Sequence, residues 1–176
     1  MPVRSLATPE LTADELRAIR ALMDAAFDDF TDDDMTHGLG GRHFVLDVDG
    51  EIAAHASVVE RALELDGMRL RAGYVEAVAV APALQRRGLG TRVMAAATAH
   101  IRAAYELGAL GTGEQPFYEP LGWDRWVGQS FVRERDGTLR HTADEDPWIM
   151  VLRTGPSADA PLTGTLTCEW REGDVW

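Results

Sequence analysis

Tyr74-Val75-Glu76-Ala77-Val78-Ala79-Val80-Ala81-Pro82-Ala83-Leu84-Gln85-Arg86-Arg87-Gly88-Leu89-Gly90 reads as a strand, a glycine-bearing loop and the start of a helix. The first seven residues are apolar apart from Glu76, the pattern of a buried strand. Pro82 ends that strand, because it has no N–H for the ladder. Leu89, Val93, Ala97, Ile101 and Ala104 then recur at helical spacing, which predicts a long helix over 89–106. The first N–H groups of a helix have no intrahelical partner and carry a partial positive charge. Such an end takes phosphate oxygens. Gly88 and Gly90 would let a pyrophosphate come close to the backbone, and Arg86 and Arg87 could add charge-assisted contacts. The alternative is a plain strand-to-helix turn with two surface arginines.

On the amino-terminal side, Thr12-Ala13-Asp14-Glu15 has the form of a capping box. Leu16, Ile19, Leu22, Met23, Ala26 and Phe27 follow at helical spacing and predict one buried face. Thr31 could cap a second, short helix with Asp32, Asp33 and Asp34 in its first turn, where negative charge is favourable. From His43 the period changes to that of strands. Phe44–Val48 and Glu51–Val59 flank Asp49-Gly50, and Asp66-Gly67 leads into a third strand over 68–80. These three strands are expected to form an antiparallel meander.

Beyond the long helix, Leu107–Leu110 is a short candidate strand, and Pro116 and Pro120 limit Phe117–Leu121 to a short helix at most. Strands are expected around 148–152 and 165–170, separated by a Pro/Ser/Gly loop. There is no internal repeat and no linker, so one domain over 1–176 is expected. The order of elements implies an α/β (α+β) fold: a mixed, mostly antiparallel central sheet with helices on its faces.

The chain carries 29 acidic against 17 basic residues, a net charge of −12, and every basic residue is arginine. That balance argues against nucleic acid and anionic membranes as partners and suits a cationic ligand. It is also compatible with solubility alone. Cys168 is the sole cysteine, which excludes an internal disulfide and a cysteine zinc cluster. His37, His43, His55, His100 and His141 lack metal-ligand spacing, so no metal is expected and they read as surface or core residues. No serine sits in a nucleophile elbow. Neither a signal core nor an apolar run of spanning length is present, so a cytoplasmic protein is expected.

The strand, the Gln85–Gly90 loop and the helix together resemble the acyl-CoA site of the GNAT superfamily of N-acetyltransferases. Phe117-Tyr118-Glu119-Pro120-Leu121-Gly122-Trp123 resembles the later motif of the same superfamily. A closer resemblance, to the actinobacterial aminoglycoside 2′-N-acetyltransferases, is carried by Ala26–Thr31, Gly73–Val80, Tyr105–Leu110 and the segment Cys168–Trp176. It spans nearly the whole chain.

The resemblance implies acetyl-CoA lying in a cleft where strands splay apart. The backbone of Val78, Ala79 and Val80 would pair with the pantetheine arm. Gln85, Arg86, Arg87, Gly88, Leu89, Gly90 and Thr91 would hold the pyrophosphate. Glu76, enclosed by apolar neighbours, is the candidate general base, acting through a water. Its alternative fates are an ion pair with an arginine such as Arg71, or a solvent-facing side chain. Tyr118 is the candidate general acid for the leaving thiolate; its alternative is a core aromatic beside Phe117 and Trp123.

A polycationic aminoglycoside needs an acidic, polar cleft. The matching positions are Asp29, Asp34, Glu76, Ala77, Glu145 or Asp146, Asp174 and the α-carboxylate of Trp176. For each acid alone, the alternative is a solvated surface side chain. A homodimer is also implied. Three activities are open at this point: a resistance enzyme acetylating the 2′-amino group, an acetyltransferase for another amine, and a non-catalytic aminoglycoside- or acyl-CoA-binding module.

Overall fold

The computed structural model describes residues 2–176. Contacts group these residues into two compact units, 2–59 with 75–99 and 60–74 with 100–176. The chain passes between the units within two long strands and one helix.

In the first unit, β1 (Arg4–Ala7) pairs antiparallel with β2 (Arg42–Val48), which pairs antiparallel with the first part of β3 (Glu51–Leu65). The second part of β4 (Met68–Val80) and the first part of the helix α3 (Leu89–Ala104) complete it. Between β1 and β2 lie α1 (Ala13–Ala26) and α2 (Asp32–His37); α1 opens with the capping box expected from Thr12/Glu15, and Thr31, expected only as a cap, forms a full box with Asp34. Ile19, Leu22 and Met23 of α1 are buried with Leu11 and Ala79, each large side chain contributing about 2 kcal/mol on transfer from water. Phe27, expected on that face, is instead 43% exposed. It lies past the end of α1 in an extended conformation, φ −129°, so the helical periodicity no longer governs it.

In the second unit the strand order is β6-β9-β5-β4-β3-β10-β7-β8. Here β5 is Leu107–Gly111, β6 Asp124–Arg125, β7 Gln129–Arg133, β8 Leu139–His141, β9 Ile149–Arg153 and β10 Thr165–Glu169. The β4–β5 ladder is parallel and runs from Ala72 to Tyr74. Its central pair is Gly73 and Gly108. A β-carbon at Gly73 would lie 2.7 Å from the Tyr105 ring and 2.9 Å from Ile101, so that pair must be glycine for α3 to lie this close.

Both two-residue turns form as expected. Asp49 and Gly50 have φ of 53° and 89°, Asp66 and Gly67 of 49° and 81°, the double positive φ that matches strand twist in a hairpin. Asp66 also accepts the Thr165 N–H at 2.7 Å, which pins the start of β10.

Several expectations need correction. β3 continues to Leu65 rather than stopping at Val59, and α3 ends at Ala104 rather than Glu106. β10 ends at Glu169, before Trp170. β1, β6, β7 and β8 were not anticipated; they are short, polar segments without a run of alternating apolar residues.

Candidate active site

In the first unit, Gly88 has φ +77° with open space where a β-carbon would stand, and its carbonyl accepts the first helical N–H, from Arg92, at 3.2 Å. The N–H groups of Leu89, Gly90 and Thr91 are therefore in the first turn of a 16-residue helix, without acceptors inside it. Arg86, itself at φ +59°, and Arg87 are exposed. These features fit a diphosphate, which needs backbone donors, close approach and positive charge. Val78 and Val80 are half-buried on β4, and Ala79 is buried.

Glu76 is half-buried. Arg71, considered as its ion-pair partner, is engaged elsewhere, 3.6 Å from Glu60 and 2.7 Å from the Ala104 carbonyl. The residue after Glu76 breaks the regular strand. Ala77 has φ +50°, a left-handed conformation that costs a non-glycine residue about 1–2 kcal/mol. Its carbonyl accepts from His55 Nδ1 at 2.7 Å, and the Glu76 carbonyl accepts from Ser57 Oγ at 3.1 Å. Asp34 is half-buried, and its carboxylate accepts from the Thr31 N–H and hydroxyl, both at 2.8 Å. Asp29 is exposed on the bend between α1 and α2.

His55 touches a second imidazole, His43, with Nε2 and Nδ1 at 2.9 Å. Both rings are only 1% exposed, and burial pushes them down, to about 4 for His43 and about 3 for His55. Below pH 6.5 the unfolded chain binds protons that the folded chain refuses, so stability falls as pH falls through that value toward 4. Unfolding free energies from urea titrations should drop by at least about 1 kcal/mol per pH unit between about pH 6 and 4. The decline should shrink in a chain carrying His43→Gln and His55→Gln; an unchanged decline would assign it to carboxylates.

In the second unit, Tyr118 closes the single turn α4 (Gln115–Tyr118), which a 3-10 turn extends through Leu121. Pro116 and Pro120 bracket it, as expected, and Gly122 at φ +89° ends it. Tyr118 is buried, edge-on to Phe117 and Trp123 at 4.8 and 6.4 Å, with a hydrogen bond to the Thr112 hydroxyl. Burial pushes its phenol up to about 12, so the hydroxyl keeps its proton at neutral pH. The surroundings expected for a core aromatic and the protonation expected of an acid are thus both present.

The carboxy-terminal segment is tied down by side chains. Arg61 donates to the carbonyls of Glu169 and Val175 at 3.2 and 2.8 Å, and Arg171 donates to the Asp174 carbonyl at 2.6 Å. Both guanidinium groups lie over the Tyr74 ring, 4.7 and 5.5 Å from its centre. Trp176 buries its indole and donates Nε1–H to Thr142 Oγ at 2.9 Å. Thr142 and Ser130 hydroxyls are 2.7 Å apart, and Ser130 donates its N–H and its hydroxyl to one Asp146 oxygen, both at 2.6 Å. His141 Nε2 meets the other oxygen at 2.9 Å. Burial alone would raise the Asp146 carboxyl, but the Ser130 and His141 donors outweigh it and hold it below the usual range. Glu145 behaves oppositely. Burial first, then the charges of Asp174 and Asp144, push it up. Asp174 itself is exposed. Among the described residues, no group of three or more His, Cys, Asp or Glu side chains could hold a metal ion. No helix of the described residues is long and apolar enough to cross a membrane.

The roles of Ser57, His43 and His55 around the Ala77 peptide, and of Ser130, Thr142 and His141 around Asp146, were not anticipated. Each of these residues meets partners outside its own strand or turn, and no periodic pattern in the sequence encodes those contacts.

Comparison with known proteins identifies the family and the fold. Residues 8–126 match the family model described as an acetyltransferase (GNAT) domain. An aminoglycoside 2′-N-acetyltransferase of Mycolicibacterium fortuitum is 39% identical over 98% of this chain and 91% of its own. Among solved structures, a GNAT family N-acetyltransferase of Escherichia coli in complex with CoA superposes with a TM-score of 0.66 at 15% identity, covering 96% of this chain and 90% of that one. A GNAT family acetyltransferase of Brucella melitensis in complex with acetyl-CoA gives 0.61 at 17% identity, covering 93% and 94%. Some other solved structures of this fold are longer, and the chain spans 33–34% of their length. With a GNAT domain model over residues 8–126 and an aminoglycoside 2′-N-acetyltransferase relative along almost its full length, the chain belongs to the GNAT acetyltransferases, within the aminoglycoside 2′-N-acetyltransferase family.

Proposed function

We propose that this chain acetylates the 2′-amino group of aminoglycosides with acetyl-CoA as donor. The observation that carries the reading is the 39% identity that extends over 98% of the chain.

The donor supplies an activated acyl group as a thioester. In this reading the N–H groups of Leu89, Gly90 and Thr91 hold its diphosphate, with Gln85, Arg86 and Arg87 beside them and Gly88 leaving room. Val78, Ala79 and Val80 offer backbone groups to its pantetheine arm as an added strand would. Glu76 takes the proton from the substrate ammonium, directly or through a water, so that the amine can attack the thioester carbon. Tyr118, held protonated by burial, gives its proton to the departing sulfur.

A polycation is the ligand this chain's charge favours, at −12 overall. Asp29, Asp34, Glu145 and Asp174, with the Ala77 and Trp176 main chain, are the groups proposed to receive its ammonium and hydroxyl groups. Glu145 supports this in a specific way. Its carboxyl is raised because Asp174 and Asp144 crowd it with like charge, and a bound cation removes that penalty. Asp146 is proposed to act through position, since Ser130 and His141 already occupy both its oxygens. A homodimer in the cytoplasm belongs to the same proposal.

The test is thiol release from acetyl-CoA across a panel of aminoglycosides that differ in the 2′ group. Turnover is expected with 2′-amino compounds and not with their 2′-hydroxyl counterparts. Equal turnover on both would place the reaction at another amine, and binding of both ligands without thiol release would make the chain a binding module.

A further inference from the structure

His43 and His55 lie on neighbouring strands, and their register makes them diagonal partners: His43 is opposite Ser57, and Val45 is opposite His55. Diagonal side chains of this length reach one another on one face of a sheet. Ile19, Met35, Gly38 and Leu39 wall the pair in. The direction of every hydrogen bond in the group follows from its ends. The Ala77 carbonyl only accepts, so His55 Nδ1 carries the proton. A neutral His55 then presents Nε2 as an acceptor, so His43 Nδ1–H donates to it. His43 Nε2 in turn accepts from the Thr8 hydroxyl at 2.8 Å, the shorter of the two contacts open to that hydroxyl's one proton, since the Gly41 carbonyl lies at 3.3 Å; Thr8 Oγ accepts the Gly40 N–H at 2.9 Å. Each member is satisfied, and the series runs one way, from Gly40 to Ala77.

A series that ends on an amide carbonyl has nowhere to deliver a proton, so it is not a relay. What it holds is a peptide group in an unfavourable conformation, Ala77 at φ +50°. Ser57 holds the preceding carbonyl, that of Glu76. Two adjacent carbonyls of β4 are therefore bound by side chains of β3. Gly38 at the end of α2 closes the other side, since a β-carbon there would lie 3.3 Å from Ser57 Oγ and 3.4 Å from Ala77.

We infer that His55, oriented by His43 and Thr8, is a positioning residue for Glu76: it holds the left-handed Ala77 peptide and thereby fixes the stretch of backbone from which the Glu76 carboxylate works. The inference rests on the reading of Glu76 as the base. A fixed carboxylate matters because a small misplacement of a catalytic group costs far more rate than binding.

The experiment is a mutant cycle with a spectroscopic control. His55→Ala is expected to lower kcat by about tenfold to a hundredfold with KM for acetyl-CoA little changed. His55→Asn, whose amide N–H stands where Nδ1–H stood, restores most of the loss. In a Glu76→Gln background His55→Ala costs little more, because the group it positions is already gone. Nitrogen-15 spectra of the unaltered protein show both imidazoles protonated at Nδ1 and bare at Nε2, a measurement that does not depend on any variant folding. Full kcat in His55→Ala with a damaged Glu76→Gln, full additivity of the two losses, or either ring protonated at Nε2 would overturn the positioning role alone. Full activity of Glu76→Gln would overturn the base assignment and this inference with it.

Discussion

Glu76→Gln is expected to lower kcat for acetyl transfer by about a hundredfold or more, with KM for acetyl-CoA little altered. The substitution keeps the size of the side chain and its hydrogen-bonding groups but removes the ability to take a proton. An aliphatic amine is almost wholly protonated at neutral pH and cannot attack a thioester in that form. The deficit should therefore narrow as pH rises and the substrate loses its proton to solvent, so the ratio of wild-type to variant kcat/KM is the measurement. A constant ratio from about pH 6 to about pH 9 would mean that Glu76 contributes charge or position rather than proton transfer. An undiminished rate would remove it from the chemistry altogether.

Tyr118→Phe is the second large effect. The coenzyme thiol has an ordinary thiol pKa, about 8.5, so below that pH its departure as thiolate is uphill without a proton donor. Loss of the hydroxyl should cost about a hundredfold in kcat near neutrality, and the penalty should shrink above about pH 8.5. Because burial holds the phenol near 12, the wild-type rate should show no loss from Tyr118 ionisation across the working range. The variant gives up one hydrogen bond, to Thr112, so its stability should fall by only about 1 kcal/mol. A rate unchanged by Tyr118→Phe, with this modest destabilisation, would leave Tyr118 as a packing residue beside Phe117 and Trp123.

The parts of this molecule that could be read from the chain are the parts fixed locally. The capping box at Thr12, the cap at Thr31, the positive-φ turns at Asp49-Gly50 and Asp66-Gly67, and the apolar stripe of α3 each depend on residues a few positions apart. The glycine loop at the start of α3 was legible for the same reason. β7, by contrast, earns its place through a parallel pairing with β10, more than thirty residues later, and nothing in Gln129–Arg133 encodes that partner. The left-handed turn of the backbone at Ala77 was invisible because alanine carries no preference for positive φ; the histidine that holds it sits 22 residues earlier in the chain. Among the candidate acids, Asp146 is named by the resemblance alone, and the bonds that Ser130 and His141 give it depend on residues brought together only in the folded chain.

The position of β10 has a consequence for synthesis. This strand lies between β3 and β7, antiparallel to one and parallel to the other. On the ribosome, β3 and β7 emerge long before residues 165–169 do, so each waits with one ladder edge unfilled. A nascent chain stalled ahead of residue 165 would carry two open edges and should be prone to pairing with its neighbours. Maturation of the second unit is therefore set by the arrival of its final strand.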